Sequence, residues 1–120
     1  MRYALLVYGE EAALKALPEE ELRRLEREAV ANDKVLQEGG HLIVGHALEW
    51  PSDATSLRTR GGKLVATDGP FAETKEQLLG FLLVEARDRD EALALAAKLP
   101  MLKNHTIEVR AVGKCAAERS

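Results

Sequence analysis

Leu78-Leu79-Gly80-Phe81-Leu82-Leu83-Val84-Glu85-Ala86 is the most apolar run in the chain. Strand alternation would put Leu79, Phe81 and Leu83 on one face and Leu78, Gly80, Leu82 and Val84 on the other. Both sets are hydrophobic, so the run predicts an interior strand shielded from water on both sides. Arg2–Tyr8 has the same character and predicts a second such strand. Helices of the same chain can cover one face of a sheet built on these two strands. The other face is too apolar to be left in water, which predicts a second copy of the chain across a two-fold axis.

Upstream of this run, Thr55–Arg60 and Lys63–Thr67 flank Gly61-Gly62, a two-residue glycine turn that signals a β-hairpin. Leu57, Leu64 and Ala66 give the hairpin a mildly apolar side, while Arg58, Arg60 and Lys63 keep it soluble. His41–Leu48 reads as a strand, with Leu42, Val44 and His46 expected on one face and His41, Ile43 and Gly45 on the other. Before it, Leu22, Leu25, Ala29, Asn32 and Leu36 form a stripe at helical spacing. That helix is expected over Pro18–Glu38, with Glu19, Glu20 and Glu21 complementing the dipole in its first turn and Gly39-Gly40 ending it. Glu10–Leu17 predicts a short helix after the first strand.

Downstream, Asp88 is placed to cap a helix carrying Ala92, Leu95, Ala96 and Leu99 on its apolar face, with Glu91 completing a variant capping box. Pro100 stops it, and Thr106–Val112 is the last strand. The order β-α-β, hairpin, β-α-β predicts an α+β fold of the ferredoxin-like kind. The expected assembly is a dimeric, α/β-barrel-like pair of sandwiches. Residues 1–112 are expected to form one domain, with 113–120 as a frayed tail.

Composition narrows the function classes. The 120 residues are 46% hydrophobic, enough for one core, and 17 basic against 20 acidic residues give a net charge of −3. The charges are interspersed and form no basic stripe, so nucleic acid is not an expected partner. Arg23, Arg24 and Arg27 alternate with glutamates on the long helix and read as a solvated face. Cys115 is the single cysteine, so an intrachain disulfide is excluded and the residue reads as an inert thiol near the C-terminus. The first strand is too short for a signal peptide and no run approaches the length of a membrane span, which predicts a cytoplasmic protein.

Between the hairpin and the apolar run lies Asp68-Gly69-Pro70-Phe71-Ala72-Glu73-Thr74-Lys75-Glu76-Gln77. This stretch resembles the signature of the DGPF-type, YCII-related protein family. Arg2–Gly9, Gly45–Leu48, Leu79–Glu85 and Ile107–Arg110 resemble further segments of that family in order. The resemblance implies one YCII-related domain and a dimeric ferredoxin-like fold. Many relatives have no assigned reaction, and some resemble proteins encoded beside sigma factors of the extracytoplasmic-function type. The better-studied branch uses a His–Asp pair in a cleft. The helix position aligned here with that histidine is Glu28, so the pair does not carry over.

Among candidate residues, Asp68 follows a strand, and Gly69 allows the backbone to approach a ligand closely. Its carboxylate would serve as a general base or hold a ligand amine; the competing reading is a turn cap. His46, beside Gly45, is the histidine expected to face a cleft and to work with Asp68. Tyr8 could place its hydroxyl at a pocket mouth, and Glu73 and Lys75 lie on the expected binding loop, Lys75 being suited to an anionic group. Phe71 is expected to plug the core, with stacking on a ligand as the alternative. Thr74 and Gln77 have the spacing of a single capped helical turn. His41 and His105 are expected to be solvated, and Trp50 to make a dimer contact, with an exposed rim position as the alternative. No metal spacing occurs, and neither a nucleotide-binding glycine motif nor a Gly-x-Ser-x-Gly elbow is present, so no metal or cofactor is expected.

Three functions fit. The first is a homodimer binding a small polar or anionic metabolite in a pocket between the sheet and the Asp68–Gln77 loop, with acid–base chemistry through Asp68 and His46. The second is a non-catalytic regulatory or interaction module that uses the loop for docking. The third, a cofactor-free oxygenase of similar architecture, rests on fold analogy alone.

Overall fold

The computed structural model describes residues 1–113. The expected tail and Cys115 lie outside the described residues, Gly113 excepted. In chain order the elements are β1 (Arg2–Gly9), α1 (Glu11–Lys15), α2 (Glu19–Glu38), β2 (Leu42–Ala47), β3 (Thr55–Arg60), β4 (Lys63–Asp68), β5 (Gln77–Glu85), α3 (Arg89–Ala97) and β6 (Thr106–Ala111). Single 3-10 turns at Pro51–Asp53 and Pro100–Lys103 precede β3 and β6.

Strands β2, β5, β1 and β6 form an antiparallel sheet in that order, with the two most apolar strands in the middle. Mixed α+β composition and this strand order are compatible with the ferredoxin-like plan. The hairpin β3-β4 is a separate two-stranded sheet. It turns at Gly61 and Gly62, whose φ values of 56° and 78° match the primed turn that right-twisted strands require.

One face of the large sheet carries the core. Tyr3, Leu5, Leu82, Val84 and Ala86 pack there with Leu36 of α2, Ala92 and Ala96 of α3, and Leu99. Leu5 and Val84 are fully enclosed, and each such side chain stabilises the fold by roughly 1.5–3 kcal/mol relative to exposure. Helix α2 reaches this core because it ends in a tight reversal. The His41 amide bonds the Leu36 carbonyl at 2.9 Å and the Gly40 amide bonds that of Gln37 at 3.0 Å, with Gly40 in the left-handed region. Helix α3 begins as expected. Asp88 accepts a bond from the Glu91 amide at 2.9 Å, while Glu91 accepts one from the amide of Arg87, one residue earlier than in the standard capping box.

Two irregularities change the expected faces. Val7 pairs with Gly80 and Tyr8 with Leu78, so Leu79 is an extra residue in β5. Leu78 therefore joins Phe81 and Leu83, and Leu79 turns to the helix side. In β2, Leu42 pairs with Val84 and Val44 with Leu83, leaving Ile43 as the extra residue. Leu42 thus belongs to the core, and only Val44 and His46 share the opposite face. Period-two alternation assumes a regular ladder, and a bulge breaks it.

The face without helices carries Ala4, Leu6 and Tyr8 of β1, Leu78, Phe81 and Leu83 of β5, and Val44 and His46 of β2. Thr106, Glu108 and Arg110 of β6 border it. Its apolar centre has no cover within the described residues. The radius of gyration, 16.5 Å, exceeds the about 14 Å of a compact domain this size. The hairpin contributes to that extension, because it makes no substantial packing contact with another element. Leu57, Leu64 and Phe71 are all well exposed there.

Candidate functional site

Helix α2 packs over the sheet beside the core cluster, with Leu82 shared between that cluster and a cavity. This cavity, of about 640 Å³, opens between helix and sheet, against the β2 edge. Its walls are mainly apolar: Val7, Leu14, Leu22, Leu25, Ala29, Leu79, Leu82 and Met101 line it. Leu79 reaches this wall because of the bulge in β5. Glu26, Asp33, Trp50 and His105 supply the polar and aromatic groups.

His105 follows the Pro100–Lys103 turn, and that turn fixes its ring. A carbonyl can only accept, so Nδ1 donates to the Met101 carbonyl at 3.0 Å and Nε2 carries the lone pair. Burial holds this imidazole below its ordinary pKa, against the opposing influence of the Met101 bond and the Glu76 carboxylate. Neutral imidazole with a free lone pair is a competent base. Asp33 is half-buried, and burial raises its carboxyl above its ordinary pKa. The expectation that His105 is solvated is therefore corrected: the Pro100–Lys103 turn folds it inward.

Trp50 is braced from outside the cavity. Lys15 Nζ lies 5.1 Å from its ring centroid and 2.6 Å from Glu11 Oε2. Glu11 also accepts bonds from the Ser52 amide (3.1 Å) and hydroxyl (2.7 Å), tying α1 to the turn after Trp50. These bonds lower the Glu11 pKa from 4.5 to about 2, the Lys15 bond contributing most and Ser52 next.

Of Asp68, His46, Tyr8, Phe71, Glu73 and Lys75, only His46 borders the cavity, from the exposed β2 edge with its side chain on the helix-free face. Its ring contacts Phe81 edge-on, with centroids 6.0 Å apart. Asp68 is exposed at the end of β4, on the hairpin sheet rather than the sheet that holds His46, and it does not line the cavity. Tyr8 is half-buried on the helix-free face. Phe71 is 76% exposed and plugs no core, a correction to the sequence expectation. Glu73 is exposed, and Lys75 stands 3.9 Å from Glu10 at the loop surface.

The loop itself contains no helical turn. Gln77 organises it instead, its Nε2 donating to the carbonyls of Ala72 (2.7 Å) and Thr74 (3.0 Å) and to Thr74 Oγ1 (2.9 Å). Ser56 Oγ and the Arg58 guanidinium bind the carbonyls of Gly69 and Phe71, which ties the loop to the hairpin. The Gly69 amide bonds the Ala54 carbonyl. Asp68 takes no part in these ties.

The model of the YCII-related domain family matches residues 1–115. The chain belongs to the YCII-related domain family. A protein of Rhizobium meliloti (strain 1021), itself described as uncharacterised, is 41% identical over 99 residues, 82% of this chain and 80% of that protein. In this YCII-related chain Glu28 is half-buried on α2 and does not line the cavity. No group of three or more metal-ligating side chains occurs among the described residues, and no helix there is long and apolar enough to cross a membrane.

Asp33 and Glu26 escaped the sequence reading, which assigned Trp50 and His105 to other places. The signal for the carboxylates was present: Glu26, Val30 and Asp33 follow at i, i+4 and i+7 beside the stripe of Leu22, Leu25 and Ala29. His105 carries no comparable signal, because its position depends on the turn before it.

Proposed function

We propose that this YCII-related protein is a homodimer whose subunits each bind a small molecule in the cavity between α2 and the sheet, with acid–base chemistry centred on His105. The supporting observation is a mostly apolar cavity lined by a half-buried imidazole whose Nδ1 is committed to the Met101 carbonyl, leaving Nε2 free. Such a group takes a proton from a bound ligand. The dimer reading rests on the bare face centred on Leu6, Phe81 and Leu83.

A thermal-shift screen of metabolites tests the cavity reading. Wild type, Asp68→Asn and Ala29→Trp, the last filling the cavity, are compared. A compound that stabilises wild type and Asp68→Asn but not Ala29→Trp places its site under α2. Stabilisation lost only in Asp68→Asn would move the site to the hairpin loop. Loss of turnover in His105→Gln with ligand binding retained would assign the chemistry.

A second reading, a regulatory or interaction module, is favoured by a different observation. Leu57 and Leu64 are 64% and 71% exposed on the projecting hairpin, near the exposed Phe71. Under that reading the hairpin is the docking element and the cavity is incidental.

A further inference from the structure

The charged side chains on the cavity wall have one sign. They are Glu26 and Asp33, and no lysine or arginine lines the space. Glu26 is exposed and also borders a shallow groove shared with Arg23, Arg27 and Lys34, so part of its charge is balanced from outside. Asp33 is different. It is half-buried, and no salt bridge or hydrogen-bond partner of its carboxylate is present among the described residues. Lys15, at the Trp50 end, already serves Glu11 and the Trp50 ring.

The geometry points to a ligand that combines an apolar body with a protonated amine or comparable cationic donor, its charge met by Asp33. This inference rests on the cavity being a binding site, as proposed above. The physical argument is one of complementarity. A carboxylate partly withdrawn from water without a partner is destabilised, and a cation arriving beside it relieves that cost. His105 adds to the same preference, since its Nδ1–H is committed to Met101 and Nε2 offers only a lone pair. An anionic ligand would face two carboxylates and that lone pair. The walls of leucine, valine and methionine, with Trp50 at one end, suit an apolar or aromatic body.

Three probes of similar shape and different charge separate the possibilities: 2-phenylethylammonium, 2-phenylethanol and 3-phenylpropionate. Binding is followed by thermal shift and by emission of Trp50, the chain's one tryptophan. The ammonium probe is expected to bind on the order of tenfold more tightly than the alcohol, with the carboxylate weakest. Asp33→Asn is expected to bring the ammonium down to the affinity of the alcohol and leave the alcohol unchanged. Carboxylate binding as tight as that of the ammonium, or a charge preference that survives Asp33→Asn, would overturn the inference while leaving the cavity as a binding site. Failure of all three probes to move the melting temperature or the Trp50 emission at millimolar concentration would overturn the cavity reading, and this inference with it.

Discussion

A Cβ built on Gly80 would lie 2.9 Å from the carbonyl oxygen of His46 and 3.3 Å from Ala47 Cα. Strands β5 and β2 thus meet at a separation that no side chain permits, at the edge of the cavity. Gly45 is equally tight on paper, with its nearest contact at 2.9 Å, but that contact is Leu82 Cδ2. Backbone cannot move aside cheaply, whereas the end of a leucine can turn. Gly80→Ala is expected to cost about 1–3 kcal/mol, and Gly45→Ala clearly less. Urea denaturation of the two variants measures the difference, and equal costs would contradict the close approach.

His105 should make stability depend on pH in a defined window. Burial lowers its folded pKa below the ordinary value of 6.5, so the unfolded chain binds the proton more readily. Stability linked to His105 is then present above pH 6.5 and is lost as pH falls from there toward its folded pKa. Glu76 is the nearby charge that opposes the shift. Melting temperatures between pH 7.5 and 5 should fall more steeply for wild type than for His105→Gln. Parallel curves would show that the ring is not withdrawn from water.

Glu11 should titrate near pH 2 rather than 4.5, as read by carboxyl NMR. Its folded pKa is depressed, so its contribution to stability is present above pH 4.5 and fades as pH falls toward 2. Lys15→Met should raise the midpoint most and Ser52→Ala by less. Lys15→Met should also alter Trp50 emission, because it removes the cation over the ring. An unshifted midpoint in wild type would break the proposed brace on the cavity wall.

Leu6 lies opposite both Phe81 and Glu108, at the centre of the face without helices. If a second copy covers that face, wild type sediments as a dimer at micromolar concentration and Leu6→Glu as a monomer with a lower melting temperature. A buried unpaired carboxylate at such a centre is costly enough to separate the copies. Monomeric wild type under the same conditions would end the dimer proposal.

The order of elements was legible because it depends on local signals. The α2 stripe, the acidic first turn, Gly39-Gly40, the Gly61-Gly62 turn and the Asp88 cap each act within a few residues, and each appears where the sequence predicts it. Leu79 and Leu42 were assigned to the wrong faces for the opposite reason. A bulge is a relation between two strands, decided by which register buries more side chains, and neither strand encodes it alone. Phe71 misled in the same way, since aromatic character says nothing about whether a surface exists to receive the ring.

By itself, then, the sequence determined the strands, the helices and the apolarity of both sheet faces, since hydrophobic period and capping chemistry operate over one or two turns of chain. Only the tertiary structure decided that Asp33 of α2 and His105 before β6 share one cavity, and that Asp68 and His46 stand on different sheets. Those residues are distant in sequence, and packing of helix on sheet, with its bulges and its end reversals, is what sets the distances between them.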